Sequence, residues 1–309
     1  MSKTVLITGV AGFIGSNLAS RLIEAGYRVV GIDNLSAGTR ENVPLGVEFY
    51  KKDILDPEIY PLFAGVDTVF HLAAKNCLPD CAAHPIETVQ INNVGTMNVL
   101  EAIRIAGVRK LIYADTSAEY EGINTFPTGE ADVSPISLYA ASKHGAAALC
   151  NSYAALYNMD VTTVRYFNVY GPAQDWRRIV PPVMSAFIMR LIEGKAPFIY
   201  GTGEKRRDFI YVDDINEFHL LAMTHPLSRG RVFNLGSGTN HSINEIYRLI
   251  EGILATGIDP VYKPELPGEA EITLADISNA RSLGWSPKVD IREGLAKSIA
   301  YIRERVLQA

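Results

Sequence analysis

Three cysteines are all this 309-residue chain has, and an odd count of scattered thiols at Cys77, Cys81 and Cys150 excludes a disulfide-stapled scaffold. Cys77 and Cys81 stand four apart without a second ligand pair nearby, so no metal site is expected. Surplus positive charge is also missing: 29 Lys and Arg against 34 Asp and Glu leave a formal net charge of -5. That balance argues against a sequence-independent grip on nucleic acid or on an anionic membrane. No apolar run approaches the ~18 residues of a membrane span, and neither a low-complexity tract nor an internal repeat is present. The opening, Lys3 followed by a strand, does not read as an apolar signal, so a reducing cytoplasm and a small-molecule partner are expected.

What is present is ordinary for a globular enzyme, with 48% hydrophobic and 20% charged residues. The length exceeds the usual single core, which predicts one large domain with a smaller lobe. Thr4–Thr8 is a short apolar run ending in glycine, and residues 16–25 carry helical spacing up to Gly26. Residues 29–33, 47–50, 68–72, 110–114 and 161–166 repeat the strand pattern, alternating with helical or loop segments. Strands apolar throughout and alternating with helices predict an α/β fold with a doubly wound parallel sheet. After Phe167 prolines from Pro172 to Pro287 punctuate shorter elements. The expected division is a dinucleotide-binding domain over 1–167, joined by part of 207–236, and a substrate lobe over 168–309.

Gly9, Gly12 and Gly15 follow the first strand and open a helix, the context in which spaced glycines form a dinucleotide turn. The first permits a tight turn, and the second lets backbone amides approach a pyrophosphate seated on the helix N-terminus. Asp33, 18 residues after Gly15, ends the next strand, where a carboxylate accepts from ribose hydroxyls and repels a 2′-phosphate. NAD is therefore expected in preference to NADP, with Arg40 the one nearby cation. Asp53 is a candidate for the adenine amino group.

Tyr139 and Lys143 share one face of an alanine-rich helix. A lysine ammonium near a phenol is expected to lower its pKa toward neutrality and make it a general base. Thr116, in the loop after the 110–114 strand, is the third member if chemistry sits at the carboxyl ends of strands.

These motifs, with Asp33-Asn34-Leu35-Ser36, His71-Leu72-Ala73-Ala74, Asn92, the loop from Thr116 to Tyr120, the run from Arg165 to Pro172, the run from Arg207 to Asp214 and Leu283-Gly284-Trp285, span nearly the whole chain. They resemble an extended short-chain dehydrogenase/reductase of the UDP-galactose 4-epimerase-like, NAD-dependent epimerase/dehydratase family. The resemblance implies a Rossmann domain with a C-terminal substrate lobe, a nucleotide-sugar substrate and a helix-bundle homodimer through residues 96–106 and the Tyr139 helix. It implies Thr116, Tyr139 and Lys143 as the catalytic set, the tyrosine taking a proton from a sugar hydroxyl. On the cofactor it implies Gly9, Gly12, Phe13, Ile14, Gly15, Asp33, Asn34, Ser36, Asp53, Ile54, Leu72, Ala73, Ala74, Asn92 and Tyr166, with Tyr139 and Lys143. On the substrate it implies Asn76, Ser117, Asn168, Val183, Tyr200, Arg207 and Glu269, with Thr116.

Dehydrating members resemble a Thr-Asp-Glu run where this chain has Thr116-Ser117-Ala118, and decarboxylating members place a glutamate at the Ala118 position. The missing acids favour oxidation and re-reduction at C4, and hence an epimerase of UDP-Glc/UDP-Gal or UDP-GlcNAc/UDP-GalNAc. Glu119 or Glu121, recruited as an unusual acid, would instead make a dehydratase or ketoreductase; an NAD-sensing regulator is the non-enzymatic alternative. Leu266 replaces an arginine that usually meets the second phosphate, leaving Arg177 or Arg178 as substitutes. Thr273, small where some epimerases carry tyrosine, would admit an N-acetyl group, while Asn76, Cys77 and Cys81 depart from the common loop after His71.

Overall fold

The computed structural model describes residues 3–175, 177–178, 180–265 and 270–307. Seven strands form one sheet: β1 (Thr4–Thr8), β2 (Arg28–Asp33), β3 (Val47–Lys51), β4 (Thr68–His71), β5 (Lys110–Thr116), β6 (Asp160–Tyr166) and β7 (Val232–Leu235). Only the longer helices are numbered: α1 (Phe13–Glu24), α2 (Thr96–Ala106), α3 (Leu138–Tyr157), α4 (Val183–Ile192), α5 (Val212–Thr224), α6 (Ile243–Leu254) and α7 (Ile291–Leu307). The strand order is β3-β2-β1-β4-β5-β6-β7, and every pairing is parallel.

The apolar runs follow from that position. Successive side chains of a strand face opposite ways, so a strand covered on both sides must be apolar at every residue. Ile7, Phe70, Ile112 and Phe233 pack into one layer with Leu18 of α1 and Phe218 of α5. Their neighbours Leu6, Val69 and Leu111 face the other way, onto Leu100 of α2 and Ala146 of α3. Order reverses between β1 and β4, and the carboxyl ends of these strands open a crevice there.

A second core joins α4, α6 and α7 through Phe187, Ile246, Ile250, Leu295 and Ile299. Ser242 and Glu245 cap α6 reciprocally. The chain leaves this lobe to lay α5 on α1 and add β7 to the sheet edge. Asp214 of α5 then ties the tail down, its carboxylate accepting from the Lys288 and Val289 amides while its carbonyl accepts from Trp285 Nε1.

Candidate active site

A cleft of about 1220 Å³ runs along the carboxyl ends of the strands, lined from the sheet by the glycine turn, Asp33, Leu72 to Asn76, Asp115, Tyr139 and Lys143. Its far wall carries Tyr166, Asn168, Gln174, Arg178, Val183 and Phe209.

Each glycine of the turn has its own reason. Gly9 has φ +76°, and a Cβ there would lie 2.8 Å from the Ala73 nitrogen. A Cβ on Gly15 would lie 2.2 Å from the Gly9 carbonyl oxygen, so α1 crosses its strand at a distance no side chain permits. Gly12 differs, since its Cβ would meet only the Gly9 oxygen at 3.3 Å. Gly12 caps α1 without a side-chain acceptor, and no acidic residue stands in the first turn. Uncapped amides of a helix N-terminus with a bare backbone before them, on the wall of a cleft, fit a diphosphate.

Asp33 braces the same turn. Its Oδ2 accepts from the Ala11 amide at 3.0 Å and its Oδ1 from the Leu35 amide at 2.8 Å. Burial raises its pKa, and these two amides oppose the rise. Each oxygen keeps a further lone pair for a ribose hydroxyl. The Arg40 guanidinium lies over the Phe49 ring at 4.8 Å, stacked on β3. Asn34 donates to Asp53 Oδ2 at 2.8 Å, and Ser36 and Ile54 complete this end of the cleft.

Ser137 caps α3 by accepting from the Ala140 amide, which starts the helix so that Tyr139 and Lys143 both reach the cleft one turn apart. The Tyr139 hydroxyl lies within reach of the Thr116 side chain. The expected lowering of its pKa is not found. Enclosure pushes the phenol well above its ordinary value, Thr116 pulls it partly back, and Lys143 is not among the strongest influences on it. The physical reason is that desolvation penalises the phenolate more than this one neighbour favours it. The lysine charge is engaged elsewhere: Lys143 Nζ lies 4.3 Å from the centre of the Tyr113 ring, burial brings its pKa down to about 8, and Asp115 is the strongest charge holding it up.

Several residues expected at the site stand apart from the wall. Asn92 lies in a π-helical turn, Gln90–Gly95, and its amide is consumed behind the cleft. Its Oδ1 accepts from the Lys75 amide, and its Nδ2 donates to the Lys75 carbonyl and to Ser142 Oγ. It holds the loop that carries Leu72, Ala73 and Ala74 to the cleft. Thr116 and Ser117 are not on the lining either, Thr116 meeting the cleft through Tyr139. Tyr200 is 40% exposed, and Arg207 donates to the Arg206 carbonyl at 3.0 Å; neither lines the cleft. Thr273 is no pocket wall, because its hydroxyl accepts from the Asp208 amide and from Asn168 Nδ2. Leu266 and Glu269 lie outside the described residues.

The sequence reading missed Asp115 and Lys75. Lys75 pairs with Asp80 at 2.7 Å and Glu87 at 2.8 Å on the cleft wall. Its position directly after the Leu72-Ala73-Ala74 loop was the available signal. For Asp115 the signal was its place beside Thr116.

The NAD dependent epimerase/dehydratase family matches residues 5–236. UDP-glucose 4-epimerase of Mycolicibacterium smegmatis is 36% identical, over 97% of this chain and 98% of its own length. Among solved structures, UDP-glucose 4-epimerase of Thermotoga maritima with UDP-glucose superposes with a TM-score of 0.94 at 36% identity, covering 98% of this chain and 99% of that one. UDP-glucuronic acid 4-epimerase of Bacillus cereus, in complex with UDP-glucuronic acid and NAD, gives 0.91 at 31% identity, covering 98% and 99%.

Proposed function

Because the chain belongs to the NAD-dependent epimerase/dehydratase family and is an NAD enzyme, we propose that it inverts C4 of a UDP-linked neutral hexose, UDP-Glc/UDP-Gal or UDP-GlcNAc/UDP-GalNAc. The observation that carries this reading is the fate of the two flanking acids. Glu119 is buried in an ion pair with Arg165, and Glu121 spends both oxygens on the Ile136 amide, the Ser137 amide and the Ser137 hydroxyl. Neither is on the cleft wall, and Ser117 and Ala118 carry no acid, so the groups a dehydratase would place beside the sugar are missing from this loop.

The glycine turn, Asp33, Asn34, Ser36, Asp53 and Ile54 would hold the adenosine diphosphate half of NAD, and Ala73, Ala74, Tyr166 and Lys143 the nicotinamide half. When bound, NAD supplies a reversible hydride acceptor and a positive charge. As the phenolate that this positive charge would favour, Tyr139 would accept the proton of the sugar 4-hydroxyl while C4 gives up its hydride, with Thr116 beside the same oxygens. The resulting 4-keto sugar turns over and Tyr139 returns the proton when hydride is delivered to the opposite face. The raised Tyr139 pKa suits the protonated, proton-donating half of that cycle. Asn76, Asn168, Val183 and Arg178 line the sugar and diphosphate side, with Ser117, Tyr200, Arg207 and Glu269 kept as substrate contacts that ligand binding would have to recruit. Carboxylates outnumber cations here: Asp80, Glu87, Asp115 and Asp175 face Lys75, Lys143 and Arg178 among the described lining residues, which disfavours a hexuronate. Exposed Ile105 on α2 and Leu156 on α3 support the homodimer.

The test incubates purified protein, without added NAD, with UDP-Glc, UDP-GlcNAc and UDP-GlcA, and follows the anomeric protons by NMR while light scattering reads the mass. A neutral sugar should equilibrate with its 4-epimer, and Tyr139→Phe should lower kcat about 10²- to 10⁴-fold with the fold intact. Loss of water from the product, or turnover of UDP-GlcA alone, would refute the assignment.

A further inference from the structure

Asp115 is the last residue but one of β5, 3% exposed, on the cleft wall with Lys143. Its Oδ2 accepts from Arg165 Nε at 3.1 Å, and its Oδ1 has no hydrogen-bond partner among the described residues. Glu119, fully buried one turn further, repeats the arrangement. One of its oxygens receives Arg165 at 2.8 Å and His144 Nδ1 at 3.2 Å, and the other is likewise unpartnered. Two buried carboxylates thus share one guanidinium, each with an unmet oxygen. Burying a carboxylate half-satisfied is costly, and an ion pair kept only for stability would fill both oxygens.

The ionisable surroundings come from every neighbouring element. Tyr113 lies on β5 itself, Glu119 and Tyr120 in the turn after it, Tyr139, Lys143, His144 and Cys150 on α3, Arg165 and Tyr166 on β6, and His71 on β4. Burial holds Tyr113, Tyr120, Tyr166 and Cys150 protonated and His71 neutral, and Tyr139 is the reacting phenol. The charges left to meet Asp115 are therefore Lys143, Arg165 and Glu119, with His144 at the surface end.

We propose that Asp115 is a positioning residue for the reaction, the counter-charge of the Lys143 ammonium, and that Glu119, held on the same Arg165, adds to that negative charge from behind it. Burial pushes Asp115 up to about 7, Glu119 adding most among the charges while Lys143 and Arg165 oppose it. Lys143, brought down to about 8, is held up chiefly by Asp115. The sign follows. Neutralising Asp115 releases the Lys143 proton at lower pH, whereas neutralising Glu119 removes a weaker support from Lys143 and at the same time lets Asp115 ionise more readily, so its net effect is the smaller.

The inference rests on the role given to Lys143 above, so its first measurement needs no turnover. The NAD-bound protein is labelled with [ε-¹³C]lysine, the Lys143 resonance is assigned by Lys143→Arg, and its titration is followed by NMR. Asp115→Asn should lower the midpoint by about one pH unit, and Glu119→Gln should move it by less. The alkaline limb of kcat should move with each midpoint while KM stays put. An unchanged midpoint in Asp115→Asn, a larger fall in Glu119→Gln than in Asp115→Asn, or an equal loss of kcat at every pH would overturn the proposal. If Asp115→Asn does not fold, Asp115→Ser, smaller and equally neutral, takes its place with the same expected fall. Wild-type protein without epimerase activity would sink the functional reading and leave the titration to decide this one.

Discussion

Gly12 and Gly15 are indistinguishable as letters and opposite in their constraints. Gly15 is fixed by the fold, because its missing Cβ would stand 2.2 Å from a backbone oxygen. Gly15→Ala should therefore cost stability at or above the upper end of the ~1–3 kcal/mol of overpacking and abolish bound NAD. Gly12→Ala, with 3.3 Å to the same oxygen, should melt within a few degrees of wild type yet lose at least about tenfold in NAD affinity. Thermal denaturation beside NAD titration separates the two, and equal losses of stability would contradict the assignment. The place of Asp33 at the turn was legible because its bonds to the Ala11 and Leu35 amides are local to it. The Tyr139 pKa was not, since helical spacing puts a lysine near a phenol without showing how dry the site is or which group claims the lysine charge.

At the scale of elements, the Tyr139 helix could be read from its spacing and from Ser137, a good N-cap. The turn before α2 could not. Asn92 is expected from the motif to face cofactor, yet the π-helical turn aims it at Lys75 and Ser142. Asn92→Ala should leave those buried groups unmet, costing about 1–3 kcal/mol, and should speed NAD loss by freeing the loop from Leu72 to Lys75. Chemical denaturation with a chase for bound NAD would measure both, and unaltered stability would show that water replaces the amide. Arg207 and Tyr200, expected at the substrate, stand off the cleft for a similar reason: their small strands belong to the outer lobe, whose pairings no local pattern encodes.

Across the whole molecule, two histidines make stability depend on acidity. His71 joins Thr8 to Thr96, and His219 joins Tyr166 from the opposite layer; burial brings each down to about 3. Below pH ~6.5 the unfolded chain gains a proton that the folded one refuses, so stability is lost as pH falls from that value toward 3. At pH 5 each contributes a loss of up to about 2 kcal/mol. The Tm of wild type should accordingly fall more steeply between pH 7 and pH 5 than that of His219→Gln, and parallel slopes would remove His219 from the account. The sequence by itself determined the parallel sheet, the glycine turn and the helix that brings Tyr139 and Lys143 to one cleft, because burial on both faces, a tight turn and helical spacing leave marks within a few residues of each other. Which acids face the cleft, and what claims the lysine charge, only the tertiary structure decided. Asp115, Glu119 and Arg165 meet across two strands, where desolvation and shared charge depend on neighbours distant in the chain.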